Sequence, residues 1–83
     1  MNKEQIFNTI KKYIYEIAPT LEKVPISTTD SLKNLGIDEV NRAEIIMTVM
    51  EDLSLNIPHI ELAGAKNLGE LADIFAEKLE ARN

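Results

Sequence analysis

Apolar residues recur at three- and four-residue spacing in several separate stretches of this chain, and no stretch shows the alternating pattern of a β-strand. That periodicity predicts an all-α fold. Ile6, Ile10, Tyr13, Ile14 and Ile17 share one face of a first helix expected over Lys3 to Ala18. Asn2 and Gln5 are placed as its capping pair, and Pro19 ends it because proline has no N–H to continue the ladder. A second helix is expected to start at Asp38 as N-cap and to end near Leu53 or Ser54, with Val40, Ala43, Ile46, Met47, Met50 and Leu53 on one face. Asn56-Ile57-Pro58 reads as the start of a short third helix, stopped near Ala63 by Gly64. Asn67 followed by Glu70 caps a last helix whose Leu68, Leu71, Ile74, Phe75 and Leu79 face inward. Between the first two helices, residues 20–37 carry Pro25, Ser27-Thr28-Thr29-Asp30 and Gly36. Leu21, Val24, Ile26, Leu32, Leu35 and Ile37 are spaced there to pin a long loop onto the core, and loops of this length in compact domains are often functional. The 83 residues are expected to form one domain, 1–83, because chains of this size rarely divide into two cores.

Charge is concentrated rather than spread. The formal net charge is −5, and all of it arises in residues 35–63, where Asp38, Glu39, Glu44, Glu51, Asp52 and Glu61 face a lone Arg42. Such a surface repels phosphate backbones and anionic lipid and favours a partner with a basic face, so neither nucleic acid nor membrane is an expected ligand. With no cysteine and one histidine, the chain has no thiol nucleophile, no disulfide framework and no His-rich metal cluster. His59, beside Pro58, reads as a capping or surface residue. The carboxylates lack the alternating spacing and central glycine of a calcium loop, and Gly36 alone makes no phosphate cradle. Ser27, Ser31 and Ser54 have no histidine base that sequence nominates. No catalytic and no metal-binding residue is therefore assigned, and the chain does not read as an enzyme. The first residues lack the apolar run of a signal peptide and no stretch approaches a membrane span, so a cytoplasmic protein is expected.

The segment Leu35-Gly36-Ile37-Asp38-Glu39-Val40-Asn41-Arg42-Ala43-Glu44-Ile45-Ile46 resembles an acyl carrier protein. The likeness extends over nearly all of the chain: a Leu-Gly-x-Asp turn, an acidic second helix, an Ile-Pro pair opening a short third helix and a terminal Leu-x-x-Leu helix. Arg42-Ala43-Glu44-Ile45, Ser54-Leu55-Asn56-Ile57-Pro58 and Glu61 to Leu71 further resemble the free-standing carriers of polyketide β-branching cassettes. Such carriers deliver an acetyl-type unit to an HMG-CoA-synthase-like enzyme. The resemblance implies a four-helix acyl-carrier bundle with three longer helices, a short third one and a long loop between the first and second. It implies a monomer whose partners are that synthase, a ketosynthase or acyltransferase of a polyketide pathway, and a phosphopantetheinyl transferase. It also implies docking through the second helix, with Asp38, Val40, Arg42, Glu44, Met47 and Glu51 as partner-binding residues. Arg42 interrupts the acidic stripe, either to distinguish partners or to pair with Glu39 or Glu44.

One position departs from the family. The residue after the turn's aspartate is there a serine esterified by 4′-phosphopantetheine; here it is Glu39, and a carboxylate cannot accept that phosphodiester. The resemblance therefore implies the cofactor for the family and none attachable to this chain. Asp30-Ser31-Leu32 offers another serine in similar company, but it lies upstream of Leu35-Gly36, and Ser31 is expected to be an ordinary loop residue.

Overall fold

The computed structural model describes residues 2–81. Met1, Arg82 and Asn83, the outermost residues of the expected 1–83 domain, lie outside the described residues. Four helices follow in order, α1 (Lys3–Ile17), α2 (Glu39–Asp52), α3 (His59–Leu62) and α4 (Leu68–Ala81), with a 3₁₀ turn at Pro19–Leu21. The all-α architecture is the expected one.

Local chemistry accounts for each boundary. Asn2 and Gln5 form a reciprocal capping box: the Gln5 N–H donates to Asn2 Oδ1 at 2.8 Å and the Asn2 N–H donates to Gln5 Oε1 at 2.9 Å. Asp38 caps α2 by accepting the Asn41 N–H at 2.8 Å. At the other end of α2, Ser54 takes a left-handed conformation (φ 55°). The Leu55 N–H reaches back to Met50 O at 2.8 Å and the Ser54 N–H to Glu51 O at 3.1 Å, the paired bonds of a Schellman ending. The third helix begins at His59, just after the expected Asn56-Ile57-Pro58 start, with Pro58 as its N-cap and not within its first turn. Gly64 does not end it in the left-handed region; among the described residues Gly36 is the glycine with positive φ.

The core joins all of these elements. Ile6, Ile10 and Ile14 of α1 are fully buried against α2 and α4, where Ile45, Val49, Leu68 and Phe75 meet them. Tyr13 and Ile17 flank this row, half-buried. In α4, Ile74 and Leu79 are likewise half-buried, and Ala72 takes a buried place beside Leu71 and Phe75.

The apolar face assigned to α2 is corrected. Ile45, Val49, Met50 and Leu53 face the core, whereas Val40 is 77% and Met47 51% exposed. Apolar residues almost encircle this helix, so spacing alone did not separate its two sides. Packing against α1 selects the inward set, and Val40, Ala43 and Met47 remain as a second strip facing outward.

The long loop is ordered by its own contacts. Ile26, Leu32 and Ile37 are buried, and the Tyr15 hydroxyl donates to Val24 O at 2.8 Å. Its middle also caps α4: the Leu68 N–H donates to Asp30 O at 2.8 Å and the Gly69 N–H to Thr28 O at 2.9 Å. Asn67 Oδ1 accepts the Glu70 N–H at 2.8 Å, so three donors of α4's first turn find partners. Loop and helix approach closely here. A Cβ on Gly69 would stand 3.1 Å from Thr28 Cβ and 3.3 Å from Thr28 O, which explains a glycine inside a helix.

Candidate functional site

Position 39 is prepared by a tight turn. Residues 32–36 form a hydrogen-bonded turn: the Leu35 N–H donates to Ser31 O, the Gly36 N–H to Lys33 O and the Ile37 N–H to Leu32 O. Gly36 closes it at φ 81°, in the left-handed region that L side chains avoid. The chain then extends through Asp38 (φ −69°, ψ 165°), whose side chain starts α2, and Glu39 is the first helical residue. Glu39 is exposed. Its carboxylate stands at the positive end of the helix dipole, a placement that favours an anion by roughly 0.3–1 kcal/mol.

From Glu39 an open groove of about 620 Å³ runs along the outward side of α2, lined by Glu39, Val40, Ala43, Glu44, Met47, Thr48 and Glu51. The structure thus brings together Glu39, Val40, Glu44, Met47 and Glu51 on one surface: an apolar strip of Val40, Ala43 and Met47 bordered by three carboxylates. The two remaining residues stand apart from it. Asp38 is occupied as the N-cap. Arg42 is half-buried and turned back, its Nη1 donating to Ile37 O at 2.9 Å. Among the described residues it forms no ion pair with Glu39 or Glu44, the arrangement one expectation allowed; the ion pairs are Lys3–Asp73 at 2.9 Å and Lys78–Glu61 at 2.5 Å.

Ile60 was not singled out by sequence reasoning. It is 84% exposed on α3, beside the exposed His59. A helix of four residues is too short to display a period, so only the buried neighbours Ile57 and Leu62 could have hinted that Ile60 points away.

Ser31 stands away from this surface. Its hydroxyl oxygen accepts the Asn34 N–H at 3.1 Å, and it lines a separate cleft of about 190 Å³ with Leu32, Ile46, Leu62, Leu68 and Leu71. Among the described residues, no group of His, Cys, Asp and Glu could hold a metal ion, and no helix is long and apolar enough to cross a membrane.

The turn, the acidic helix behind it and the short third helix coincide with a family match: residues 12–75 fit the family described as phosphopantetheine attachment site. The chain belongs to that family. It is a carrier rather than an enzyme. The polyketide biosynthesis acyl-carrier protein AcpK of Bacillus subtilis (strain 168) is 47% identical over 81 residues, covering 98% of this chain and 99% of that protein. Among solved structures, a chain in the crystal structure of the curacin biosynthetic pathway HMG synthase in complex with its acetyl donor acyl carrier protein is 74% identical. It superposes with a TM-score of 0.87 over 94% of this chain and 100% of its own length. The expected four-helix carrier fold is thereby established, and the likeness to β-branching carriers holds.

The residue at the expected attachment position of this carrier does not fit the family's group. An ionised carboxylate only accepts hydrogen bonds and has no hydroxyl oxygen to form a phosphodiester. What Glu39 retains is the negative charge at the helix start.

Proposed function

We propose that this carrier serves a polyketide β-branching cassette as a docking protein. It engages an HMG-CoA-synthase-like enzyme through the outward side of α2 and remains free of phosphopantetheine. The observation that carries this reading is the groove itself: Glu39, at the attachment position, heads a continuous surface with Val40, Glu44, Met47 and Glu51. The partner class is supported by the likeness to the acetyl donor carrier bound to an HMG synthase. A ketosynthase, an acyltransferase or a phosphopantetheinyl transferase would approach the same face.

The division of labour follows from the chemistry. Glu44 and Glu51 raise the rate of encounter with a basic patch, an effect that fades with salt. Val40 and Met47 supply apolar area that a partner can desolvate. Glu39 offers one negative charge where a phosphodiester would stand. The chain therefore occupies a synthase without delivering an acyl unit, as a monomeric competitor of a loaded carrier. The other reading, an acyl-presenting carrier, requires a hydroxyl at the start of α2; Ser31, the serine in similar sequence company, is hydrogen-bonded in the loop.

Titration of the purified synthase against the chain and its variants tests the docking face. Glu44→Lys should weaken binding by about fivefold, on the order of 1 kcal/mol, and reduce its salt dependence. Glu77→Lys and Glu80→Lys on α4 should leave it nearly unchanged. Equal losses from both helices would place the interface elsewhere.

A further inference from the structure

We propose that Arg42 is a positioning residue: its guanidinium, bound to the Ile37 carbonyl, fixes the turn from which the side chain of residue 39 is presented. This rests on the docking face proposed above. Arg42 grips the turn twice, because its N–H donates to Asp38 O at 2.9 Å while its Nη1 donates to Ile37 O at 2.9 Å. The carbonyls of two successive residues are thus held by one side chain and its own backbone. Glu39 lies inside the ring so closed.

The Ile37 carbonyl precedes the N-cap and lies outside the helical ladder, so its partner has to come from elsewhere. The Ile37 side chain is buried, which anchors that end of the turn in the core. Gly36 adds the one left-handed φ that lets the chain reverse direction there. With these constraints in place, the free rotation between loop and helix is removed at Ile37 and Asp38. A bidentate-capable, permanently charged donor on the helix is suited to this, since guanidinium bonds to carbonyls are strong and directional. Arg42 therefore acts on recognition through the geometry of position 39, and its charge in the acidic stripe is secondary.

The test uses two measurements. In the native chain, Arg42→Ala should speed amide exchange at Asn41 and Arg42's replacement relative to Ile45 and Val49, whose amides stay protected; Arg42→Lys should restore part of the protection. In a Glu39→Ser background, loading by a phosphopantetheinyl transferase should show kcat lowered by about tenfold for Arg42→Ala, an expected cost of a misplaced reacting group. KM should stay within about twofold, and the deficit should persist at high salt, because it is not a screened contact. A raised KM with unchanged kcat, disappearing at high salt, would identify a direct docking charge and overturn the inference. If Glu39→Ser is not loaded at all, the attachment assignment fails, and exchange in the native chain still decides the role of Arg42: unchanged protection at Asn41 rejects it.

Discussion

The Tyr13 hydroxyl on α1 donates a 2.9 Å hydrogen bond to Asp52 Oδ2 at the last residue of α2. This bond joins two helices across 39 positions of sequence and gives the Asp52 carboxylate a donor where the helix dipole is negative. Asp52 raises the Tyr13 pKa, first by accepting the hydrogen bond that the protonated phenol donates, with desolvation and the charges of Asp52 and Glu16 adding to it.

The sign of the pH effect follows. A folded-state pKa above the unfolded value, about 10 for tyrosine, contributes stability that is fully present below that value and is lost as pH rises through the folded one. Thermal unfolding of Tyr13→Phe should therefore show a lower melting temperature than the native chain at neutral pH. The gap should close at strongly alkaline pH. A constant gap across the alkaline range would mean that the phenol contributes by packing alone.

Gly36→Ala should destabilise the chain by roughly 1–2 kcal/mol, the cost of placing an L side chain in the left-handed region. No neighbouring atom obstructs the added carbon, so the effect is backbone strain alone. Denaturant titration measures it, and Gly64→Ala, at a glycine without positive φ, serves as the control expected to be near neutral.

Glu51 stands in the last turn of α2, which holds no basic residue. An anion there opposes the dipole, so Glu51→Lys should raise stability by roughly 0.5 kcal/mol while weakening synthase binding. Such opposed changes in melting temperature and affinity are expected of a charge kept for a partner. A variant that loses stability and affinity together would point to a structural role instead.

How much of this was legible depended on how local each cause is. Asn2, Asp38 and Asn67 were readable as caps because a cap's partner lies three residues away. The turn before Glu39 was readable for the same reason, since Leu35-Gly36-Ile37-Asp38 is one short motif. The two sides of α2 were not, because Val40, Ala43, Ile45, Ile46, Met47, Val49 and Met50 wrap the helix and only the position of α1 decides which of them are covered. Arg42 was visible as a break in the charge pattern, but its bond to Ile37 O depends on the path of the loop. Ile60 escaped because α3 offers a single turn.

The docking reading rests on Glu39 having replaced an attachment hydroxyl. Intact mass measured after incubation with coenzyme A and a broad-specificity phosphopantetheinyl transferase tests it on the native chain and on Glu39→Ser side by side. The native chain should keep its mass, and Glu39→Ser should gain one phosphopantetheinyl group on residue 39, with a stability change within about 1 kcal/mol. A mass gain by the native chain, mapped to Ser31 or any other hydroxyl, would contradict the proposal.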